Sequence, residues 1–140
     1  MGLFASLGKI GNNAFAGLSN MVERFGSKTE FEGGMAAVVL VSSADGSISD
    51  EEKSAALGLL ATIPAFNAFG STDVKRLFDE GAQWIGMDAS YGREMLYDKI
   101  RAVKDPVARA TIATIAFKIA AADGNIADSE KAVIDKIKAL

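Results

Sequence analysis

Ala44-Asp45-Gly46-Ser47-Ile48-Ser49-Asp50-Glu51-Glu52-Lys53 and Ala122-Asp123-Gly124-Asn125-Ile126-Ala127-Asp128-Ser129-Glu130-Lys131 are two versions of one turn, set 78 residues apart. Asp, Gly, Ile, Asp, Glu and Lys recur at the same offsets. Each copy follows an apolar stretch with helical periodicity and precedes an amphipathic one. The pattern predicts a helix–turn–helix unit used twice, too few copies for a solenoid. The expected arrangement is two hairpins about a pseudo-twofold axis, bridged by the helices between them.

Working outward from the turns, apolar residues recur at helical spacing and no strand-like alternation persists. The fold expected is all-α with about seven helices. Leu3, Leu7, Ile10, Ala14, Leu18, Met21, Val22 and Phe25 mark a first amphipathic helix over 3–25. The domain boundary expected from this is an N-terminal amphipathic segment, 1–28, ahead of a helical domain, 29–140. Gly33-Gly34 reads as a break before a second helix over 35–44, which is apolar nearly all round and so belongs in the core. A third helix starts near Ser49, carries Ala56, Leu59, Leu60 and Ile63, and is ended by Pro64. Ser71 or Thr72 is the expected cap of a fourth, with Val74, Leu77, Phe78 and Ile85 inward. A fifth covers about 89–103. Asp105-Pro106 starts a sixth, through a capping carboxylate and a proline at the first helical position. A seventh follows the second turn, burying Val133, Ile134, Ile137 and Leu140. Phe66, Phe69 and Trp84 are expected to pack at the core or its boundary.

The 140 residues are nearly half apolar, and such a chain buries roughly two-thirds of its unfolded surface. Cysteine and histidine are both absent. That removes zinc and copper sites built on thiolate or imidazole, thiol redox chemistry, and Ser–His or Cys–His nucleophiles. A metal here has to be a hard, oxygen-bound cation such as calcium, magnesium or manganese. The net charge is −3, without a basic run, so no nucleic-acid partner is expected. No apolar stretch is long enough for a transmembrane segment; the longest, Ala110 to Ala122, contains Lys118.

The acidic turn has two readings. In the first it is only a cap. Gly ends one helix, Ile plugs the core, and Ser49 with Glu52 forms a capping box on the next helix. The second copy strains this reading, because Ala127 replaces the capping serine while Glu130 remains. In the second reading the turn is half of a cation site. Asp-Gly, five residues, then Glu is the closing part of the calcium-loop pattern. The earlier carboxylate positions fall on Val41 and Ser43 in one copy and on Ile119 and Ala121 in the other. One turn thus offers too few oxygens for calcium. Two facing turns would supply Asp45, Glu52, Asp123 and Glu130, with Asp50 and Asp128 nearby. A hydrolase using paired carboxylates is a distant third reading, for want of a nucleophile or a histidine base.

Glu30-Phe31-x-x-Gly34, the apolar helix, Ser43-Ala-Asp-Gly-x-Ile-Ser-x-Glu-Glu-Lys53 and Ala121-Ala-Asp-Gly-Asn-x-x-x-x-Glu-Lys131 closely resemble the TerB tellurite-resistance family. The likeness extends over nearly the whole chain, and the paired Asp-Gly turns are its most specific part. The resemblance implies an all-helical fold with internal duplication. It also implies acids gathered on one side to bind a divalent cation: Asp45, Glu52, Asp123, Glu130 and, at the edges, Asp50 and Asp128. It further implies a bacterial or phage-linked stress-response role without enzymatic activity, as a sensor or adaptor. The location implied is the cytoplasm, or peripherally at the inner membrane beside membrane-associated stress-resistance proteins. Independently of the resemblance, a chain without cysteine cannot reduce tellurite through a thiol of its own. The competing expectation is a structural protein-interaction adaptor that docks a basic partner on its acidic face and holds no metal.

Overall fold

Helix α1, Lys28–Ser42, is the centre of the molecule; from Gly33 to Ser42 every residue is buried. The computed structural model describes residues 25–46, 48–121 and 126–140, and the side chains of Glu52, Ala55, Leu59 and Ala65 are outside that description. The expected helix over 3–25 therefore lies outside the described residues, except for Phe25.

Six longer helices and one single turn of helix make up the described part, with no strand among the described residues. They are α1, α2 (Asp50–Leu60), α3 (Pro64–Asn67), α4 (Ser71–Met87), α5 (Ala89–Arg101), α6 (Pro106–Ala121) and α7 (Asp128–Ala139). The chain is all-α, as its periodicity predicts. No helix among the described residues is long and apolar enough to cross a membrane.

Helix α1 packs against α4, α5, α6 and α7. Such a helix needs apolar side chains on every face, and Met35-Ala-Ala-Val-Val-Leu-Val41 supplies them. Each large side chain buried here contributes about 1.5–3 kcal/mol relative to exposure. The serines at its end, Ser42 and Ser43, are buried too, and their hydroxyls donate back to the carbonyls of Val38 (2.6 Å) and Val39 (2.8 Å).

Gly33-Gly34 does not break the chain as the sequence suggests. Both residues lie inside α1, which starts five residues earlier than Gly33. A Cβ on Gly33 would stand 2.7 Å from Val103 Cγ2, and one on Gly34 would stand 2.7 Å from Phe25 Cζ. The pair lets neighbouring side chains press against the backbone, and this tertiary contact outweighs the low helix propensity of glycine. Ser27 caps the helix by accepting the Glu30 N–H (3.2 Å), while Glu30 Oε1 accepts the Gly26 N–H (2.9 Å). The Ser-x-x-Glu spacing at 27–30 is the signal that would have placed this start correctly.

Two further boundaries differ from expectation. Helix α2 ends at Leu60, and Pro64 begins the short α3 at its first position instead of terminating α2. Helix α4 begins after Gly70, whose φ is +91°, and neither Ser71 nor Thr72 is its cap. The start of α6 is as expected, with Asp105 Oδ1 accepting the Val107 N–H at 3.2 Å. The expected aromatic cluster is also internal. Phe66 is fully buried between Phe25 and Phe31, Phe69 stacks on Phe31 at 4.3 Å, and Trp84 is half-buried at the core edge.

The packing around the two acidic turns does not repeat with the sequence. Among the described residues α7 packs on α6 and α1, whereas the main neighbour of α2 is α4. Lys53 fixes that neighbour with a salt bridge to Asp79, which also pairs with Lys75 at 2.9 Å. These bonds, led by that from Lys53, hold the Asp79 carboxyl below its ordinary range.

Candidate functional site: two acidic turns beside one groove

The first turn is built on the end of α1. Gly46 adopts φ +117°, a conformation that residues with a Cβ rarely reach, and its N–H donates to the Ser43 carbonyl at 2.9 Å. Asp45 is exposed on this turn. Ile48 packs against the core, and Asp50, also exposed, opens α2.

The second turn is described only at its exit. Ile126 packs against the core, Ala127 is the N-cap of α7, and Asp128 is exposed at the first helical position. Glu130 is buried, and its Oε1 accepts the Ala127 N–H at 2.9 Å. This is the backbone half of a capping box, and it needs no side chain at residue 127. The persistence of Glu130 after loss of the capping serine thus has a structural reason. A carboxylate in the first turn also suits the positive end of the helix dipole.

Of the six expected cation ligands, Asp45, Asp50, Asp128 and Glu130 are described. Asp123 and the side chain of Glu52 lie outside the described residues. Among the described residues no three acidic side chains come together as a group able to hold a metal ion. A cation would therefore need Asp123 or Glu52 to complete its oxygen shell.

The two turns do share a surface. A groove of about 590 Å³ is lined by Ala44 of the first turn, by Ala89, Ser90, Arg93, Glu94 and Tyr97 of α5, and by Ser129, Ala132, Val133 and Lys136 of α7. Ala44 precedes Asp45, and Ser129 lies between Asp128 and Glu130. Helix α5 contributes half of the lining. Its start is fixed by Asp88, whose Oδ1 accepts the Tyr91 N–H at 3.0 Å. At the far end Lys136 Nζ lies 4.2 Å from the centre of the Tyr97 ring and 3.6 Å from Glu94, which also pairs with Arg101 at 2.7 Å. Burial pushes the Tyr97 hydroxyl above its ordinary pKa, and the Arg101 hydrogen bond draws the Glu94 carboxyl below its own.

Arg93 is a groove residue that the sequence pattern does not single out. Its Nη2 donates to the Ser43 carbonyl at 2.9 Å, across 50 residues of chain. The same carbonyl accepts the Gly46 N–H, so the guanidinium grips the acidic turn by its backbone. Arg93 Nε is buried without a hydrogen-bond partner, a costly state for a charged group. No local motif announces this contact, because its acceptor is a main-chain oxygen.

The groove is open and shallow in chemical terms: small apolar walls, three hydroxyls, two cations and one carboxylate. Its neighbours in sequence, Asp45 after Ala44 and Asp128 before Ser129, are both exposed. A family model described as "Tellurite resistance protein TerB" matches residues 32–140, which includes both turns and every helix from most of α1 onward. No curated protein and no solved structure matches the chain. The all-helical packing around an apolar α1, the paired Asp-Gly turns and the extent of the family match lead to one conclusion: this chain belongs to the TerB tellurite-resistance family.

Proposed function

We infer that this is a non-enzymatic, tellurite-resistance-type adaptor whose two acidic turns bind a divalent cation weakly and thereby adjust a protein-binding groove. The observation that carries the reading is that residues of both turns, Ala44 and Ser129, line one groove. Asp45 and Asp128, adjacent in sequence to these two residues, are exposed and open to an ion from solvent. Calcium, magnesium and manganese are the candidates, since every available ligand is oxygen. Partial coordination by two half-loops accounts for weak affinity. A cation that joins the turns would tie α1 and α2 to α7 and set the width of the groove between them. The absence of histidine and cysteine removes the usual bases and nucleophiles and supports a role in binding over one in catalysis.

Calorimetry and thermal melting with each of the three ions test this, on the wild type and on an Asp45→Asn/Asp123→Asn double variant. The wild type should show binding heat and a Tm rise of about 2–5 °C at tenfold excess over Kd, and the double variant should show neither. Identical behaviour of the two proteins removes the site.

A second reading keeps the adaptor and drops the metal. The cap made by Glu130 favours it, because one proposed ligand already has a structural task. It expects no response to ions and a partner affinity that weakens steeply with salt.

A further inference from the structure

Helix α6 buries one face and leaves the opposite one uncovered. Ile112, Ile115 and Ile119 lie in the core, whereas Val107, Ala110, Thr111, Thr114 and Phe117 follow the other side at helical spacing. Val107 is 63% exposed and Phe117 42%. The threonines add little polarity to this face. Thr111 Oγ1 donates to the Val107 carbonyl at 3.0 Å and Thr114 Oγ1 to the Ala110 carbonyl at 2.9 Å, so both donors are already satisfied within the helix. Lys138 borders the face at its far end, with Nζ 5.9 Å from the centre of the Phe117 ring.

The chain enters the described fold at the near end. Phe25 is buried against Gly34 and Phe66, and Phe25 and Gly26 share a notch of about 220 Å³ with Val107 and Thr111. The chain preceding Phe25 therefore leads to the start of the uncovered face. In that chain Leu3, Leu7, Ile10, Ala14, Leu18 and Met21 recur at helical spacing. As a helix, residues 3–22 would be about 30 Å long, against about 24 Å for the 16 residues of α6. Gly8, Gly11 and Gly17 deprive such a helix of stability of its own, so it needs a surface to receive its stripe.

We propose that residues 3–22 dock as a helix on the exposed face of α6 and antiparallel to it. Leu18 and Met21 then lie over Thr111 and Thr114, and the earlier apolar residues lie toward Phe117. Two apolar stripes on one polypeptide, joined at a buried Phe25, meet at a high effective concentration, which favours this occupant over one from outside.

The test is amide hydrogen exchange on the full chain, read by mass spectrometry. Residues 5–22 should exchange about tenfold or more slower than an unstructured chain. Thr114→Glu places a carboxylate in the middle of the face. It should return these amides to within about twofold of the unstructured rate, while α1 keeps its protection. Oxidative crosslinking carries the test by itself if Thr114→Glu does not fold. The chain has no cysteine, so an introduced pair is the only one present. Leu18→Cys/Thr114→Cys or Met21→Cys/Thr114→Cys should close an intrachain disulfide about tenfold faster than Leu18→Cys/Met87→Cys, whose second position is exposed at the end of α4. Unprotected residues 5–22 in the wild type, protection indifferent to Thr114→Glu, or no preference for position 114 over 87 overturns the proposal. Disulfides that form only between chains overturn it in favour of a second copy on α6.

Discussion

The first acidic turn is gripped from a distance, and the second is secured by the helix that follows it. Arg93, on α5, reaches the Ser43 carbonyl at the end of α1, whereas Glu130, on α7, folds back onto the N–H of Ala127 three residues earlier. Lys53, closing the first copy, is tied to Asp79 on α4, and Lys131, closing the second, is exposed and makes no ion pair among the described residues. Among the described contacts, the first copy is thus held by Arg93 and Asp79 from distant helices, and the exit of the second carries a local cap. The difference teaches that a repeated motif fixes a turn's shape without fixing what holds it.

The comparison can be broken most directly at Glu130. Glu130→Ala should cost about 1 kcal/mol in urea denaturation, since it removes the cap on the partly buried Ala127 N–H. Glu130→Gln keeps the oxygen acceptor and should lose under about 1 kcal/mol, the part due to charge at the helix start. Equal losses in the two variants would mean that the carboxylate charge, and not the cap, is what α7 requires.

Restoring the missing half of the box sharpens the contrast. Ala127 has the extended backbone of an N-cap, φ −65° and ψ 154°, and no side-chain acceptor. Ala127→Ser should raise stability by about 0.5–1 kcal/mol, read as a higher denaturation midpoint at unchanged m-value. No gain would show that Glu130 already saturates this helix end.

The smallest effect is expected at Asp79. Its folded pKa is lowered, chiefly by Lys53, so its stabilising contribution is present above the ordinary value of 3.8 and disappears as pH falls through the folded value. The pair is about one-third exposed, which limits it to less than about 1 kcal/mol. Wild type and Asp79→Asn should differ by that amount at neutral pH and converge once the pH has fallen below the lowered folded value. A gap that persists in acid would assign the effect to packing.

Most of the helical architecture was legible because α4, α5 and α7 each carry an apolar stripe, and because α1 has no polar face to confuse its placement. The errors lie where a distant residue overrides a local rule. Gly33-Gly34 reads as a break until Val103 and Phe25 are found pressed against it. Pro64 marks a boundary, but only the fold shows that it opens α3 and does not close α2. At the candidate site the acids were visible as a repeat, and the groove between them was not, since it is assembled from α5 and α7. Arg93 escaped notice for the same reason: a side chain bound to a backbone carbonyl 50 residues away leaves no pattern in the sequence.

The burial of α1 on all sides has a mechanical consequence. Its final carbonyls form the base of the first acidic turn, and its flanks touch α4, α5, α6 and α7. Protein interiors are close-packed and scarcely compressible, so such a helix cannot slide or rotate alone. It behaves as an axle: a push delivered at Ser43 is shared among four helices at once and weakened at each. Motion that stays large must bypass the axle and run through parts mounted at its rim, and Arg93 is mounted there.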